Sequence, residues 1–132
     1  MNLKQLPWMS LGALALAVAA ISPASAQQKS VAVTAIVEHP ALDSVRDGVQ
    51  AALKEAGFES GKNLKWQYQS AQGNTGTAAQ IARKFVGDKP DAIVAIATPS
   101  AQAVVAATKS VPVVYSAVTD PVAAKLVPSM EA

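Results

Sequence analysis

The chain contains four apolar or alternating segments that predict β-strands, separated by stretches with helical periodicity. Residues 30–37 and 91–97 are almost continuously apolar and rich in β-branched side chains, as in strands buried on both faces of a parallel sheet. Residues 64–70 alternate apolar and polar side chains instead, which predicts a half-exposed strand nearer the edge of the sheet. Residues 111–116 predict a fourth strand.

Three helices are predicted between these strands, from apolar residues spaced three or four apart. The first covers residues 41–56, the second runs to about Val86, and the third covers about residues 99–109. Thr75 or Thr77 is the expected N-cap of the second helix, because a threonine hydroxyl accepts a hydrogen bond from a first-turn N–H group. The face that the first helix is expected to bury carries Leu42, Val45, Val49 and Leu53.

Strands that alternate with helices pair in parallel through right-handed crossovers. The predicted fold class is therefore α/β, with a doubly wound parallel sheet in the strand order 2-1-3-4. Residues 122–126 are predicted to open a fourth helix after the last strand. Trp66 and Tyr68, on the second strand, are expected to pack against an outer face of the sheet rather than stack on a ligand.

The first 26 residues have the pattern of a secretory signal peptide. Lys4 gives a short positive start, residues 11–21 form an uninterrupted small-apolar run, and Ala24-Ser25-Ala26 offers the small side chains that signal peptidase accepts. The apolar run is about half of the roughly 20 residues that span a bilayer, so a permanent transmembrane helix is the less favoured alternative. We expect residues 1–26 to be removed on export, leaving residues 27–132 in the periplasm without stable membrane insertion.

Composition excludes several classes of protein and site. Cysteine is absent, which excludes a disulfide framework and a lipid-bearing cysteine after the signal. With one histidine and no cysteine, no metal site is expected. The net charge is +2 without a basic stripe interleaved with aromatic residues, so nucleic acid is not an expected partner. No G-x-G-x-x-G or P-loop motif follows a strand, so no nucleotide cofactor is expected.

Polar loops follow all four predicted strands, at the end of the sheet where doubly wound folds bind ligands. These loops comprise residues 38–40, 72–74, 98–100 and 119–121. In the third loop, the hydroxyls of Thr98 and Ser100 adjoin the free N–H groups of a helix start, a combination suited to a carboxylate or another anion. The alternative is that one of these hydroxyls only caps its own helix.

Asp120 and His39 each have a structural and a functional interpretation. Asp120 is placed to accept a hydrogen bond from a ligand ammonium group, although capping of a helix opened by Pro121 is the favoured interpretation. His39 precedes Pro40, and a turn role is favoured there over ligand binding or catalysis. No Gly-x-Ser-x-Gly elbow is present, so enzymatic activity is not expected. A secreted, hydrolase-like α/β enzyme that uses these loop residues is the alternative to a binding protein.

Four segments together resemble a family of ABC-transporter substrate-binding proteins. They are residues 35–43 (AIVEHPALD), 71–74 (AQGN), 95–102 (AIATPSAQ) and 117–124 (AVTDPVAA). Gly48 and the sequence LKEAG at residues 53–57 accompany the first segment. Each motif is weak by itself, but the four occur in order and at plausible spacing across residues 31–127.

The resemblance implies one lobe of a two-lobed, clamshell-like type I periplasmic binding protein, with relatives linked to tryptophan, phenylalanine or tyrosine uptake. Such a protein binds a small solute between its lobes, here an amino acid, and delivers it to an ABC permease in the inner membrane. By position, Thr98 and Ser100 would meet the ligand carboxylate, and the His39–Pro40 segment would line the other side of the cleft. The ligand-binding residues implied are His39, Pro40, Asn74, Thr98, Ser100, Thr119 and Asp120.

Members of this family continue into a second α/β lobe of similar size, which they reach through hinge strands. Residues 27–132 provide an amino-terminal lobe alone, so the sequence is interpreted as a truncated chain in which the second lobe is absent. A single lobe offers half a cleft, and closure then cannot bury a ligand. We therefore expect the isolated chain to bind its ligand weakly or not at all.

Overall fold

Strands and helices alternate throughout the computed structural model, which describes residues 28–131. The signal peptide expected at residues 1–26 lies outside these residues. In chain order the elements are β1 (Lys29–Ala35), α1 (Pro40–Glu55), β2 (Leu64–Ser70), α2 (Thr75–Gly87), β3 (Ala92–Ile96), α3 (Thr98–Ala107) and β4 (Val113–Ser116). All seven elements expected up to this point are confirmed, and their ends lie within two residues of the predicted ones.

The four strands form one parallel sheet in the order β2-β1-β3-β4, which confirms the predicted fold class and strand order. Ala35 at the end of β1 pairs with Ser70 of β2 and with Ile96 of β3. Ile96 in turn pairs with Ser116 at the end of β4. All four strands therefore end in register, along a line that we call the carboxyl edge.

The helices cover both faces of the sheet and create two cores. The α2–α3 core is buried between those helices and one face, and consists of Ala32, Ala71, Ala78, Ile81, Ala82, Phe85, Ile93, Ala95, Ala101 and Val104. The α1 core lies on the other face and consists of Val31, Val33, Ala35, Leu64, Val94 and Ile96, against which the predicted apolar face of α1 packs. Because α1 and α2 cover opposite faces, the order of strands reverses between β1 and β3. This is the topological switch point of the sheet.

Aromatic residues of β2 attach α1 to the edge of the sheet. Trp66 and Tyr68 are half-buried against the α1 core, as predicted from their alternation with polar residues. The guanidinium of Arg46 lies 4.9 Å from the centroid of the Tyr68 ring, within range of a cation–π interaction. Arg46 also donates a hydrogen bond to Asp47 at 2.8 Å, which raises the pKa of the guanidinium. An arginine guanidinium stays charged at physiological pH, so the cation over the ring is permanent.

Side chains just before α1 and α2 fix where these helices begin. His39 Nδ1 accepts a hydrogen bond from Ala41 N at 3.2 Å, and Pro40 occupies the first helical position. Asn74 Oδ1 accepts a hydrogen bond from Thr77 N at 2.9 Å. The prediction of a threonine cap for α2 is therefore wrong. Asn74 has the extended backbone of an N-cap, whereas Thr75 is already helical.

The predicted fourth helix at residues 122–126 is also wrong, because this segment forms consecutive turns. It begins as a helix does, since Ala124 N donates to Asp120 O at 3.0 Å. Lys125 then adopts a φ of +59°, which lies in the left-handed region. A left-handed residue ends a helix, so propagation stops after a single turn.

Gly48 in the middle of α1 gives a direct test of helix energetics. Added at this exposed position, a Cβ atom would meet no heavy atom within 4 Å. Glycine inside a helix costs about 0.5–1 kcal/mol relative to alanine, because more backbone freedom is lost on folding. We expect Gly48→Ala to raise the free energy of unfolding by about that amount in urea denaturation followed by circular dichroism.

Gly57→Ala is the matched control for this substitution. Its Cβ atom would also enter open space, but Gly57 has a φ of +93° just after α1, where a side chain is strained. We expect Gly57→Ala to lower the free energy of unfolding. Changes of the same sign in both variants would contradict the argument.

Candidate functional site

The loops that follow the four strands meet along the carboxyl edge and are joined there by backbone hydrogen bonds. Gly73 N, after β2, donates to Ile36 O, after β1, at 2.6 Å. Ala97 N, after β3, donates to Ser116 O at the end of β4 at 2.9 Å. The loops therefore lie side by side in the same order as the strands. The switch point lies between the loop after β1 and the loop after β3.

The start of α3 lies at this switch point and has no side-chain cap. Ala97 occupies the N-cap position, and its side chain accepts no hydrogen bond. Ala101 N is the first amide of α3 with an intrahelical acceptor, Ala97 O at 3.0 Å. The N–H groups of Thr98 and Ser100 precede it and have no acceptor within the helix, and Pro99 has no N–H group.

Neighbouring loops differ from α3 in this respect. His39 caps α1, Asn74 caps α2, and Asp120 caps the turn after β4 with Oδ1. Among α1, α2 and α3, the helix that starts at the switch point is the one without a side-chain cap. Free N–H groups and the positive end of the helix dipole therefore point toward the place where a doubly wound sheet binds ligands.

Ser100 provides a second, independent observation at the same place. Its side chain is fully buried, and Ser100 Oγ has no hydrogen-bond partner. Leaving a buried hydroxyl unpaired costs about 1–3 kcal/mol. Thr98 is half-buried at the first position of the helix. The alternative in which Thr98 or Ser100 caps α3 is wrong, because Ala97 holds the cap position and no side chain bonds there.

Ala97 itself is strained. Its φ of +78° and ψ of 156° lie in a region that glycine occupies almost exclusively. A residue held there costs on the order of 1–3 kcal/mol, and such outliers concentrate at ligand sites. Nothing in the sequence indicates this conformation, since alanine is an ordinary residue before a helix. Strain, missing cap and unpaired hydroxyl thus coincide within four residues.

Asp120 lies in the adjacent loop, because β4 is the neighbour of β3. Asp120 Oδ1 accepts hydrogen bonds from Val122 N at 3.0 Å and from Ala123 N at 2.9 Å. The favoured interpretation of Asp120 as a cap is confirmed, although it caps a turn and not a helix. Thr119 is exposed beside it. Two backbone N–H groups therefore fix the position of this carboxylate.

The remaining predicted site residues lie on the other side of the switch point. His39 and Pro40 follow β1, the strand next to β3, and are exposed. His39 has a structural role, but as the N-cap of α1 and not as the turn residue favoured from the sequence, since it accepts a hydrogen bond from Ala41 N. Asn74 follows β2, at the outer edge of the sheet, and its side-chain oxygen is engaged in capping α2. The structure thus groups Thr98, Ser100, Thr119 and Asp120, with the β1 loop adjacent and Asn74 farther out.

The chemistry available at the predicted site residues is that of hydroxyl, carboxylate, imidazole, amide and backbone groups. No group of three or more metal-ligating side chains converges within residues 28–131. In the same range, no helix has the length and apolarity that a membrane span needs.

Thr34 is a buried polar residue at this edge that the sequence analysis missed. It is the penultimate residue of β1, its side chain is 1% exposed, and Thr34 Oγ1 has no hydrogen-bond partner. The available signal is that Thr34 carries the one hydroxyl inside an otherwise apolar run, residues 31–37. The strand pattern does not distinguish Thr34 from its neighbours, because threonine is β-branched and suits a strand as well as valine does.

Two sequence comparisons match this chain to known proteins. The profile of the ABC transporter substrate binding protein family matches residues 30–132. A tyrosine-binding protein from Clostridioides difficile is 49% identical over 107 residues, which cover 81% of this chain and 31% of that protein.

Three solved structures share the fold. A conserved domain protein from Vibrio cholerae is 58% identical with a TM-score of 0.78, over 80% of this chain and 36% of its own. A ligand-free, open substrate binding protein with adhesive properties from Clostridium difficile is 50% identical with a TM-score of 0.76, over 78% and 35%. An ABC domain in complex with L-Trp from Streptococcus pneumoniae is 33% identical with a TM-score of 0.75, over 80% and 35%.

The chain spans about a third of the length of these relatives. Within that third, the similarity of sequence and of fold extends over 78–81% of this chain. The family profile covers all four strands, apart from the first residue of β1, and the complete carboxyl edge. The chain therefore belongs to the ABC transporter substrate binding protein family.

Proposed function

We propose that this chain forms one ligand-binding lobe of the solute receptor of an ABC importer, and that the ligand is an amino acid with an aromatic side chain. Membership of the family supports the receptor role. The ligand class is supported by the relatives, one described as tyrosine-binding and one solved in complex with L-Trp. The site that we assign consists of His39, Pro40, Asn74, Thr98, Ser100, Thr119 and Asp120.

The uncapped start of α3 is the observation that carries this proposal. A ligand carboxylate placed there accepts hydrogen bonds from the N–H groups of Thr98 and Ser100, and from their hydroxyls. It thereby supplies the acceptor that a capping side chain would otherwise provide. Hydrogen bonds to a charged group contribute about 1.5–3 kcal/mol each, and the positive end of the helix dipole adds to them.

Asp120 supports recognition of the ligand ammonium group. Adjacent strands lie about 4.8 Å apart, so the start of α3 and the loop after β4 are within reach of one α-amino acid. The capping bonds to Val122 N and Ala123 N hold the Asp120 carboxylate in place before the ligand arrives. We propose that Asp120 and Thr119 contact the ammonium group while the β1 loop lines the opposite wall.

We propose the cellular setting on the same basis. Residues 1–26 act as a signal peptide, the chain works in the periplasm, and an ABC permease in the inner membrane receives the ligand. A second α/β lobe supplies the other half of the cleft, in agreement with relatives that are about three times as long as the matched region.

No observation favours the alternative of a hydrolase-like enzyme. His39 Nδ1 and Asp120 Oδ1 both accept backbone hydrogen bonds next to them in sequence. They also follow β1 and β4, which are separated by β3. Neither group is paired with a nucleophile, as general base catalysis requires.

Calorimetric titration with L-tryptophan and L-tyrosine tests the proposed function, using the protein expressed from its complete reading frame. We expect Ser100→Ala to weaken binding by roughly 10-fold, because one hydrogen bond to the carboxylate is lost. Stability should not fall, since Ser100 Oγ has no partner before the ligand binds.

Ser110→Ala is the matched control, since this exposed serine follows the far end of α3. We expect the control to bind like the wild-type protein. Absence of amino-acid binding by the wild-type protein, or equal affinities of both variants and the wild type, would refute the assignment.

A further inference from the structure

We infer that Thr34 is a positioning residue of the ligand site, and that it acts through Ser100. In this inference, which rests on the proposed function, the Thr34 hydroxyl donates a hydrogen bond to Ser100 Oγ when the Ser100 hydroxyl donates to the ligand carboxylate. Thr34 is placed behind Ser100 relative to the ligand, because it lies within β1, one residue before the strand ends, whereas Ser100 lies in the opening turn of α3.

The two hydroxyls lie on the same face of the sheet at the same edge. Thr34 is two residues after Ala32, a member of the α2–α3 core, so both side chains point to that face. Ser100 is four residues before Val104, another member of this core, so it lies one turn closer to the start of α3 on the same helix face. Thr34 and Ser100 therefore both lie at the end of the α2–α3 core that is nearest the switch point.

Register places Thr34 directly beside the strand that leads into α3. Thr34 of β1 pairs with Ala95 of β3, two residues before the strained Ala97. Thr34 is thus in the strand adjacent to the uncapped helix start. The two are also the buried polar residues of the described part, with 1% and 0% of their surface exposed.

An unpaired hydroxyl at position 34 is a cost that valine would avoid. Valine has nearly the same shape and already occupies positions 31 and 33 of the same strand. Leaving a buried hydroxyl without a hydrogen-bond partner destabilises the folded state. Stability alone therefore favours valine at this position, and a hydroxyl is explained by a partner that it gains in the bound state.

A hydroxyl both donates and accepts, which allows the two groups to act in series. When the Ser100 hydroxyl donates to a carboxylate, the lone pairs of Ser100 Oγ become better acceptors. A bond from Thr34 to Ser100 Oγ then strengthens the bond from Ser100 to the ligand and fixes the Ser100 rotamer. Both hydroxyls then have hydrogen-bond partners in the bound state, and these bonds contribute to the free energy of binding.

The test measures L-tryptophan affinity by calorimetry for Thr34→Val, Thr34→Ser, Ser100→Ala and the Thr34→Val/Ser100→Ala double variant, in the protein expressed from its complete reading frame. We expect Thr34→Val to weaken binding by about 3–10-fold while the melting temperature stays unchanged or rises. Thr34→Ser, which keeps the hydroxyl, should bind within about twofold of the wild type. In the Ser100→Ala background, Thr34→Val should cause no further loss.

Three results would overturn the inference: wild-type affinity in Thr34→Val, equal losses with and without Ser100, or a loss in Thr34→Ser as large as that in Thr34→Val. If Thr34→Val fails to fold, Thr34→Ala removes the hydroxyl without adding a methyl group and is expected to show the same dependence on Ser100. Normal binding by Thr34→Val with weak binding by Ser100→Ala would refute only the role of Thr34. Failure of the wild-type protein to bind would refute the proposed function as well.

Discussion

Replacing Phe85 with alanine is expected to lower the free energy of unfolding by about 3–5 kcal/mol. Phe85 is fully buried and is the largest side chain in that state among the described residues. Six of the ten buried residues of the α2–α3 core are alanines, which are too small to move into the space that the ring leaves. A loss of this size removes much of the 5–15 kcal/mol that stabilises an ordinary domain.

Urea denaturation followed by circular dichroism measures this loss, and Phe58→Ala is its matched control. Phe58 packs only partly buried against the α1 core, so the same change of residue removes less buried surface. We expect the control to lose less stability than Phe85→Ala. A larger loss in the control would show that the α2–α3 core does not dominate the stability of this domain.

Thr98→Asp is expected to weaken amino-acid binding by about 100-fold, or about 2.7 kcal/mol, while it stabilises the fold by about 0.3–1 kcal/mol. Thr98 is the first residue of α3. A carboxylate there interacts favourably with the positive end of the helix dipole, which accounts for the gain in stability. The same carboxylate occupies and repels the position that we assign to the ligand carboxylate.

Calorimetry and thermal unfolding of the same samples separate these two effects. Thr98→Asn is the matched control, because it has nearly the shape of aspartate without the charge. We expect the control to bind at least ten times more tightly than Thr98→Asp. The assignment of the carboxylate site is contradicted if Thr98→Asp gains stability and still binds like the wild type.

Most of the fold follows from patterns that the sequence displays directly. Residues 64–70 alternate because β2 is an edge strand, and this strand has the predicted ends. The first strand stops two residues early, although Ile36 and Val37 are apolar. There Ile36 O accepts its hydrogen bond from Gly73 N in the next loop, and the chain leaves the sheet. The end of β1 thus depends on a hydrogen-bond partner that is distant in sequence. Local periodicity carries no information about such a partner.

Some features of the candidate site can likewise be predicted from the sequence, and others cannot. In a doubly wound parallel sheet, ligands bind beyond the carboxyl ends of the strands. Thr98, Ser100 and Asp120 follow predicted strands, so the sequence alone places them at this edge. The missing cap of α3 and the strain at Ala97 are backbone properties that no residue type there reveals. The burial of Thr34 depends on the helices that pack over this face of the sheet, so the sequence alone shows only a β-branched residue in a strand.

Under the proposed function, the uncapped start of α3 makes the stability of the protein depend on the concentration of its ligand. Any ligand that binds the folded protein alone adds RT ln(1 + [L]/Kd) to its stability, about 2.7 kcal/mol at 100 times Kd. In the proposed site, the ligand supplies hydrogen-bond acceptors to the opening turn of α3, which has no side-chain cap. Under the proposed function, resistance of the protein to proteolysis should therefore increase with the concentration of its amino-acid ligand.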